Sequence, residues 1–430
     1  MIRPLFSIVI PTYNRSELVQ GAVRSVLRQS FGDFEVVVSD NGSQDDTHEV
    51  ISGFRDLRVR YVRTPTHTSI ADSWEFARSQ ARGRLVMMLS DDDALVPDSL
   101  ACFAEQHRRH EADFLFCNLA EYRDRSFVGG SGNTVRCRSF TGTTRVVSRE
   151  EFLGPLFQFH PKFDMHPSAF VFASTIADQV VQRCGRFFRT NGVEYFAWPP
   201  AAVFSRKIVY IDRPLVILGR TFKSWGSTIV LSNPGKDQID KMISDVEHKR
   251  DWIPLTNFTL CNLMAEGLLL SKHIFAAELA AYPFDEQRYL RGTMRELRNR
   301  QSMGVAVRTE IEELLEYAGK YPALKAELMT APREGLAGPH SVLRRLARSL
   351  GLGYLRRQLA AAKETKKIKQ GHVRDGFHAT GADFGFDDAV ECADFVARVT
   401  ADPGASRAPS FGGTNTPESV AQRAISSGTW

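Results

Sequence analysis

The chain has 430 residues, 43% of them hydrophobic and 24% charged, with a net charge of +5. That length exceeds one ordinary core and predicts two domains plus a tail, and so small a net charge excludes a general nucleic-acid role. Six cysteines without CxxC spacing argue against a disulfide framework or zinc site; no apolar run reaches the roughly eighteen residues of a membrane span, and the N-terminal one is too short for a signal peptide. A cytoplasmic protein, at most peripheral to the inner face of a membrane, is expected.

The first 120 residues alternate between strand and helix patterns. Leu5 to Ile10 reads as a buried strand broken by Pro11, and Leu18, Val19, Ala22, Val23, Val26 and Leu27 then recur at helical spacing. Phe34 to Ser39 is a second strand, and Asp45 to Phe54 a helix opened by acidic residues suited to its N-terminus. Val59 to Val62 is a short strand, Ala71 to Ala81 a helix, and Leu85 to Leu89 a fourth strand. A helix from Pro97 to His110 and a strand from Phe114 to Cys117 close the series. Such alternation predicts an α/β fold, a Rossmann-like and mostly parallel sheet with helices on both faces. Residues 121–235 are less regular, 236–370 mainly helical, and 371–430 read as a tail, acidic at first and low-complexity from Pro403 on, with only that last piece expected to lack fixed structure.

Ligands bind beyond the carboxyl ends of the strands in such sheets. Three strands here end in polar clusters: Pro11-Thr12-Tyr13-Asn14, Asp40-Asn41-Gly42-Ser43 and Ser90-Asp91-Asp92-Asp93. They are expected to converge on one crevice. Three adjacent carboxylates repel one another unless offset, and a hard cation such as Mg²⁺ or Mn²⁺, held also by substrate phosphates, is one solution. The alternative is a solvated cluster capping the next helix. Asp40 could accept a hydrogen bond from a nucleobase or act as an Asx-turn residue; Thr12 to Arg15 could meet a nucleotide or cap a helix.

Ser7-Ile-Val-Ile-Pro-Thr-Tyr-Asn-Arg15, Val-Val-Val-Ser-Asp40-Asn-Gly-Ser43, Ala81-Arg-Gly83 and Leu89-Ser-Asp-Asp-Asp-Ala-Leu-Val-Pro97 occur in this order. In them the chain resembles family 2 glycosyltransferases of the GT-A fold. Pro214-Leu-Val-Ile and Lys223-Ser-Trp-Gly226 extend the resemblance, more weakly, to bacterial surface-polysaccharide members. The resemblance implies a nucleotide-sugar-binding half over residues 1–120 and an acceptor-binding, catalytic half over 121–235. It implies that Pro11, Thr12, Tyr13 and Arg15 surround the nucleotide, with Asp40 and its neighbour Asn41 at a uracil or thymine base. Ser69, Asp72 and Ser73 would approach the ribose and diphosphate. Asp92 falls on the family's metal-ligand position, with Asp91 nearer the ribose or metal and Asp93 a further metal candidate.

An inverting transferase also needs a base for the acceptor hydroxyl. The family places a carboxylate about a hundred residues after the metal motif, and Glu194 is the only acid in Thr190-Asn-Gly-Val-Glu-Tyr-Phe-Ala197. Apolar neighbours there would raise its pKa into a working range. The other reading is a structural carboxylate paired with Arg186 or Arg189, and Asp164 is the reserve candidate. His160 and His166 read as ordinary structural residues rather than late metal ligands, Trp74 as core, and Trp198 and Trp225 as core or ring-stacking residues. The basic stretch 341–369, with Leu343, Leu346, Leu350 and Leu355, suits either an anionic membrane surface or its own domain.

The expected activity is transfer of a sugar from a UDP- or dTDP-sugar to a hydroxyl of a glycan or lipid-linked acceptor. Two rivals remain: a sugar-nucleotide nucleotidyltransferase, for which a glycine-rich phosphate loop is missing, and a non-catalytic nucleotide-sugar-binding module.

Overall fold

Every residue of Phe6–Thr12 is buried, and this apolar run forms strand β1 in the interior of the sheet. The computed structural model describes residues 3–127, 132–221, 253–255, 257, 259–330 and 362–401. After β1 come α1 (Ser16–Leu27), β2 (Phe34–Asp40), α2 (Thr47–Ser52), β3 (Val59–Arg63), α3 (Ile70–Ser79) and β4 (Leu85–Met88). β5 (Ala94–Leu95), α4 (Ser99–His110), β6 (Phe114–Arg123), β7 (Thr134–Cys137), β8 (Thr144–Val147) and α5 (Arg149–Phe157) follow. The sequence continues with β9 (Phe170–Ala173), α6 (Ser174–Cys184), α7 (Val193–Phe204) and β10 (Ile208–Arg220).

The expected α/β architecture is observed. β1 pairs in parallel with β2 and β4, and β2 with β3. Beyond β4 the sheet is mixed: β9 lies antiparallel between β4 and β6, β10 runs parallel to β6, and β7 and β8 are antiparallel to their neighbours. β1 runs past Pro11 to Thr12, where Ile10 was the expected end. Its pairing with β4 stops at Val9, so one edge is free of a ladder where proline enters. β6 outruns its expected end at Cys117 because β7 and β10 both continue beside it to Arg123.

One apolar cluster draws its buried residues from Leu5 to Tyr282, so 1–120 and the described part of 121–235 share a sheet and a core. Phe170 lies in it with its ring centroid 4.6 Å from that of Trp198. The predicted helical region contains helices Leu260–Ile274, Glu286–Ser302, Arg308–Tyr317 and Pro322–Thr330, which bury Leu290, Leu297, Leu314 and Leu328 together. The first of these helices lies directly on α7. A Cβ at Gly267 would come within 2.7 Å of the Phe196 nitrogen, a separation that glycine permits.

The reading of 371–430 as a tail needs correction for residues 371–400. Phe377–Thr380 forms β11, antiparallel to β7, and helix Ala389–Thr400 buries Cys392, Phe395 and Val396 in one cluster with Val96, Tyr122 and Ile217. Exposed acids such as Asp383 and Asp387 dominate the local composition and mask the buried aromatic residues between them. Residues 402–430 lie outside the described residues, as do Lys223 to Gly226 with Trp225 and most of the basic stretch. Its described end, 362–369, is helical and buries Ile368 in that same cluster. Among the described residues no helix is long and apolar enough to cross a membrane, and all six cysteines are free.

Candidate active site

A cavity of about 710 Å³ opens where β1, β2 and β4 end. Pro11, Thr12, Tyr13 and Arg15 line it from the first strand, Asn41 from the second, and Asp91 and Asp92 from the fourth. Ser69 and Ser73 enter from α3, and Glu194 from the start of α7. The three strand ends singled out in the sequence thus meet in one crevice of ligand-binding size.

The acidic turn is divided by its partners. Thr12 Oγ1 donates to Asp91 Oδ2 at 2.8 Å, and Arg15 Nη1 donates to Asp91 Oδ1 at 2.9 Å. The Asp91 carboxylate holds the Arg15 guanidinium above its ordinary pKa; burial opposes this and Asp92 adds to it. Asp93 is absent from the cavity wall. Its Oδ2 accepts from Ser168 Oγ at 2.5 Å and its Oδ1 from the Gly219 amide at 2.8 Å. Burial, with the neighbouring Asp92 charge, drives the Asp93 carboxyl well above the usual carboxylate range. Of the three carboxylates expected to face a metal, Asp91 and Asp92 line the cavity, whereas Asp93 is drawn into the packing between the turn, Ser168 and β10.

A group of three or more His, Cys, Asp or Glu residues able to hold a metal is absent among the described residues. Two carboxylates on a cavity wall nonetheless fit Mg²⁺ or Mn²⁺, which take their other ligands from phosphate and water. His166 lines the cavity, with Nδ1 3.5 Å from Asp93 Oδ2. Burial, and then Arg220, lowers its pKa to about 3, so the ring is neutral at physiological pH.

At the other wall, Asp40 is fully buried behind the lining. Its carboxylate accepts from the Ser43 amide at 2.7 Å and from Tyr61 Oη at 2.5 Å, and Arg63 Nη1 lies 3.3 Å away. Asn41 Oδ1 accepts from the Thr68 amide and from Thr68 Oγ1, each at 2.9 Å, which pins the segment before α3. Gly42, at φ +80°, permits this: a Cβ would come within 2.9 Å of the His67 nitrogen. The His67 ring packs against that of Tyr13, with centroids 4.1 Å apart and planes tilted by 31°. Ser69 caps α3 by accepting the Asp72 amide at 3.1 Å, whereas Asp72 faces Arg186 outside the cavity lining.

Glu194 occupies the first turn of α7. Burial raises its carboxyl to about 7, against a lowering backbone hydrogen bond. Arg186 pairs with Asp72, and Arg189 donates to the Cys184 carbonyl. Asp164 also lines the cavity; burial raises its carboxyl, and Arg138 Nη1, 3.0 Å away, opposes this.

Trp74 reaches the cavity while packing on Phe188, so it is not purely core as expected; Trp198 is fully buried and its Nε1 donates to the Met165 carbonyl. Sequence reasoning passed over Arg220, His67 and Asn191. Arg220 had a signal, since it is the charge that ends the apolar run of β10. His67 and Asn191 lie in loops and carried none.

The model of the family described as glycosyl transferase family 2 matches residues 7–180. A GalNAc(5)-diNAcBac-PP-undecaprenol beta-1,3-glucosyltransferase of Campylobacter jejuni is 32% identical over 106 residues, 24% of this chain and 34% of that protein. An Escherichia coli UDP-Glc:alpha-D-GlcNAc-diphosphoundecaprenol beta-1,3-glucosyltransferase is 26% identical over 125 residues, 29% of this chain and 49% of that protein. The chain thus spans less than half the length of these relatives. The S. aureus TarS 1-349 structure with UDP-GlcNAc is 15% identical, covering 77% of this chain and 92% of that one at a TM-score of 0.46. With the ordered motifs at the strand ends, the family match establishes that this chain carries, over residues 7–180, a glycosyl transferase family 2 domain.

Proposed function

We propose that the protein is an inverting, metal-dependent glycosyltransferase that moves a sugar from a UDP- or dTDP-sugar to a hydroxyl of a glycan or lipid-linked acceptor. The observation that carries this reading is Glu194: a carboxyl raised to about 7 that faces the same cavity as Asp91 and Asp92. A base poised near neutrality is what deprotonation of an alcohol requires.

The nucleotide would lie along Pro11, Thr12, Tyr13 and Asn41, with the diphosphate near Asp91 and Asp92. Mg²⁺ or Mn²⁺ held by Asp92, with Asp91 beside it, would offset the charge of the departing diphosphate. Arg15 restrains Asp91, and Ser69 and Ser73 are within the cavity to bind the donor's ribose or phosphates. Glu194 takes the acceptor's hydroxyl proton as that oxygen bonds to the anomeric carbon. The bond from this carbon to the diphosphate oxygen breaks on the opposite face, which inverts the configuration. Leu119, Val193, Leu218 and Leu263 add apolar surface to the wall around these charges.

The relatives named for undecaprenol-linked acceptors support a lipid-linked acceptor here; contact of the basic stretch 341–369 with an anionic membrane surface would suit such an acceptor. The test is a panel of UDP- and dTDP-hexoses assayed with Mn²⁺ for release of UDP or dTDP. Release from at least one sugar, lost in Glu194→Gln with donor binding retained, is expected. Binding without release would favour a non-catalytic module, and pyrophosphate-dependent exchange a nucleotidyltransferase.

A further inference from the structure

Helix α3 enters the cavity on one side and grips a loop on the other. Ser73 and Trp74 line the cavity, while Asp72, Trp74 and Glu75 hold the segment 186–188 that leads to α7. Glu75 Oε2 accepts the amides of both Phe187 and Phe188, at 2.9 and 3.0 Å. Its Oε1 accepts from Arg78 Nη2 at 2.5 Å and Nε at 3.1 Å, which fixes the carboxylate on its own helix. The Phe188 ring meets Trp74 edge-on at 5.6 Å, and Asp72 pairs with Arg186.

The gripped loop is short. It leaves α6 at Gly185, whose φ of +85° favours glycine, and reaches α7 at Val193, one residue before Glu194. Phe187 and Phe188 are fully buried, so the loop is held by apolar packing below and by the Glu75 carboxylate from the side. Two amides on one carboxylate oxygen form a strong, directional restraint.

We infer that Glu75 is a positioning residue: through the Phe187 and Phe188 amides it ties the donor-lining helix α3 to the loop that sets Glu194 in place. The inference rests on the proposed role of Glu194 as base. Glu75 is outside the cavity lining, so its effect runs through the loop and α7. The same helix that meets the donor thereby fixes the distance between donor and base, and a displacement of about 1 Å at such a site can lower a rate on the order of 100-fold.

The experiment uses the full chain with Mn²⁺ and whichever nucleotide sugar of the UDP- and dTDP-hexose panel releases its nucleotide fastest. Glu75→Ala should lower kcat by about 10- to 100-fold while the donor KM stays within about twofold. Glu75→Gln keeps a carbonyl acceptor for the two amides and should recover most of that loss. In a Glu194→Gln background, Glu75→Ala should add no further loss, because two residues acting through one step are not additive. Full additivity in that cycle, or a wild-type kcat in Glu75→Ala, would overturn the positioning role. A wild-type kcat in Glu194→Gln, or no release from any sugar of the panel, would instead overturn the underlying base assignment.

Discussion

The Gly219 amide donates to Asp93 Oδ1 at 2.8 Å, so β10 holds the acidic turn from behind. The approach is so close that a Cβ at Gly219 would collide with the Asp92 carbonyl oxygen. The turn and the strand cannot separate without moving Asp92, which makes Gly219 a control point for the Asp91–Asp92 wall of the cavity. Gly219→Ala should destabilise the fold by about 1–3 kcal/mol through overpacking and weaken Mn²⁺-assisted UDP binding at least about tenfold. Calorimetric titration of UDP with and without Mn²⁺ measures the second effect.

The division of the acidic turn predicts unequal consequences for its three residues. Asp92→Ala should abolish the Mn²⁺-dependent part of UDP binding. Asp93→Asn should leave it within about threefold of wild type, since Asp93 is outside the cavity wall and an amide can accept from Gly219 and donate to Ser168. Equal losses from both variants in the same titration would contradict the division.

Glu194 also makes a prediction about stability. Its folded carboxyl titrates near 7, above the roughly 4.3 of an unfolded glutamate. The folded state therefore binds the proton more tightly, and the stability this contributes is present below about 4.3 and lost as pH rises through 7. Glu194→Gln removes the cost of a buried charge. Its Tm relative to wild type should rise between pH 5 and pH 8.5, a comparison that differential scanning calorimetry makes directly.

Residues 377–400 belong to the fold. Phe395 is 2% exposed and its ring meets those of Phe377, Phe384 and Phe386. Phe395→Ala should cost about 3–5 kcal/mol, read by urea unfolding, whereas a tail residue would cost nothing measurable.

The strands and helices up to residue 120 were legible because each is a local apolar pattern with a polar break. Apolar Val-Val-Val before Asp40 and Leu-Val-Met-Met-Leu before Ser90 both announce a buried parallel strand and its end. Convergence of those ends followed from topology, and Thr12, Arg15, Asp91 and Asp92 do meet. The fate of Asp93 was not legible: three adjacent aspartates look alike until Ser168 and Gly219, distant in sequence, claim one of them. The same holds for Asp40, drawn inward by Tyr61, and for β11, whose four residues gain meaning only beside β7. Residues 236–370 were legible only as a helical region; that Leu260 and Leu263 line the cavity depends on Gly267, which lets the helix Leu260–Ile274 lie on α7.

The dependence of kcat on pH, for wild type and Glu194→Gln on the same nucleotide sugar, tests the central claim most directly. On the proposed reading deprotonated Glu194 is the active form, so wild-type kcat should climb with pH and level off above an inflection near 7. Glu194→Gln should show no such inflection and a rate lower by about 100-fold or more. A variant that turned over at the wild-type rate, with the inflection intact, would contradict the assignment of Glu194 as the base.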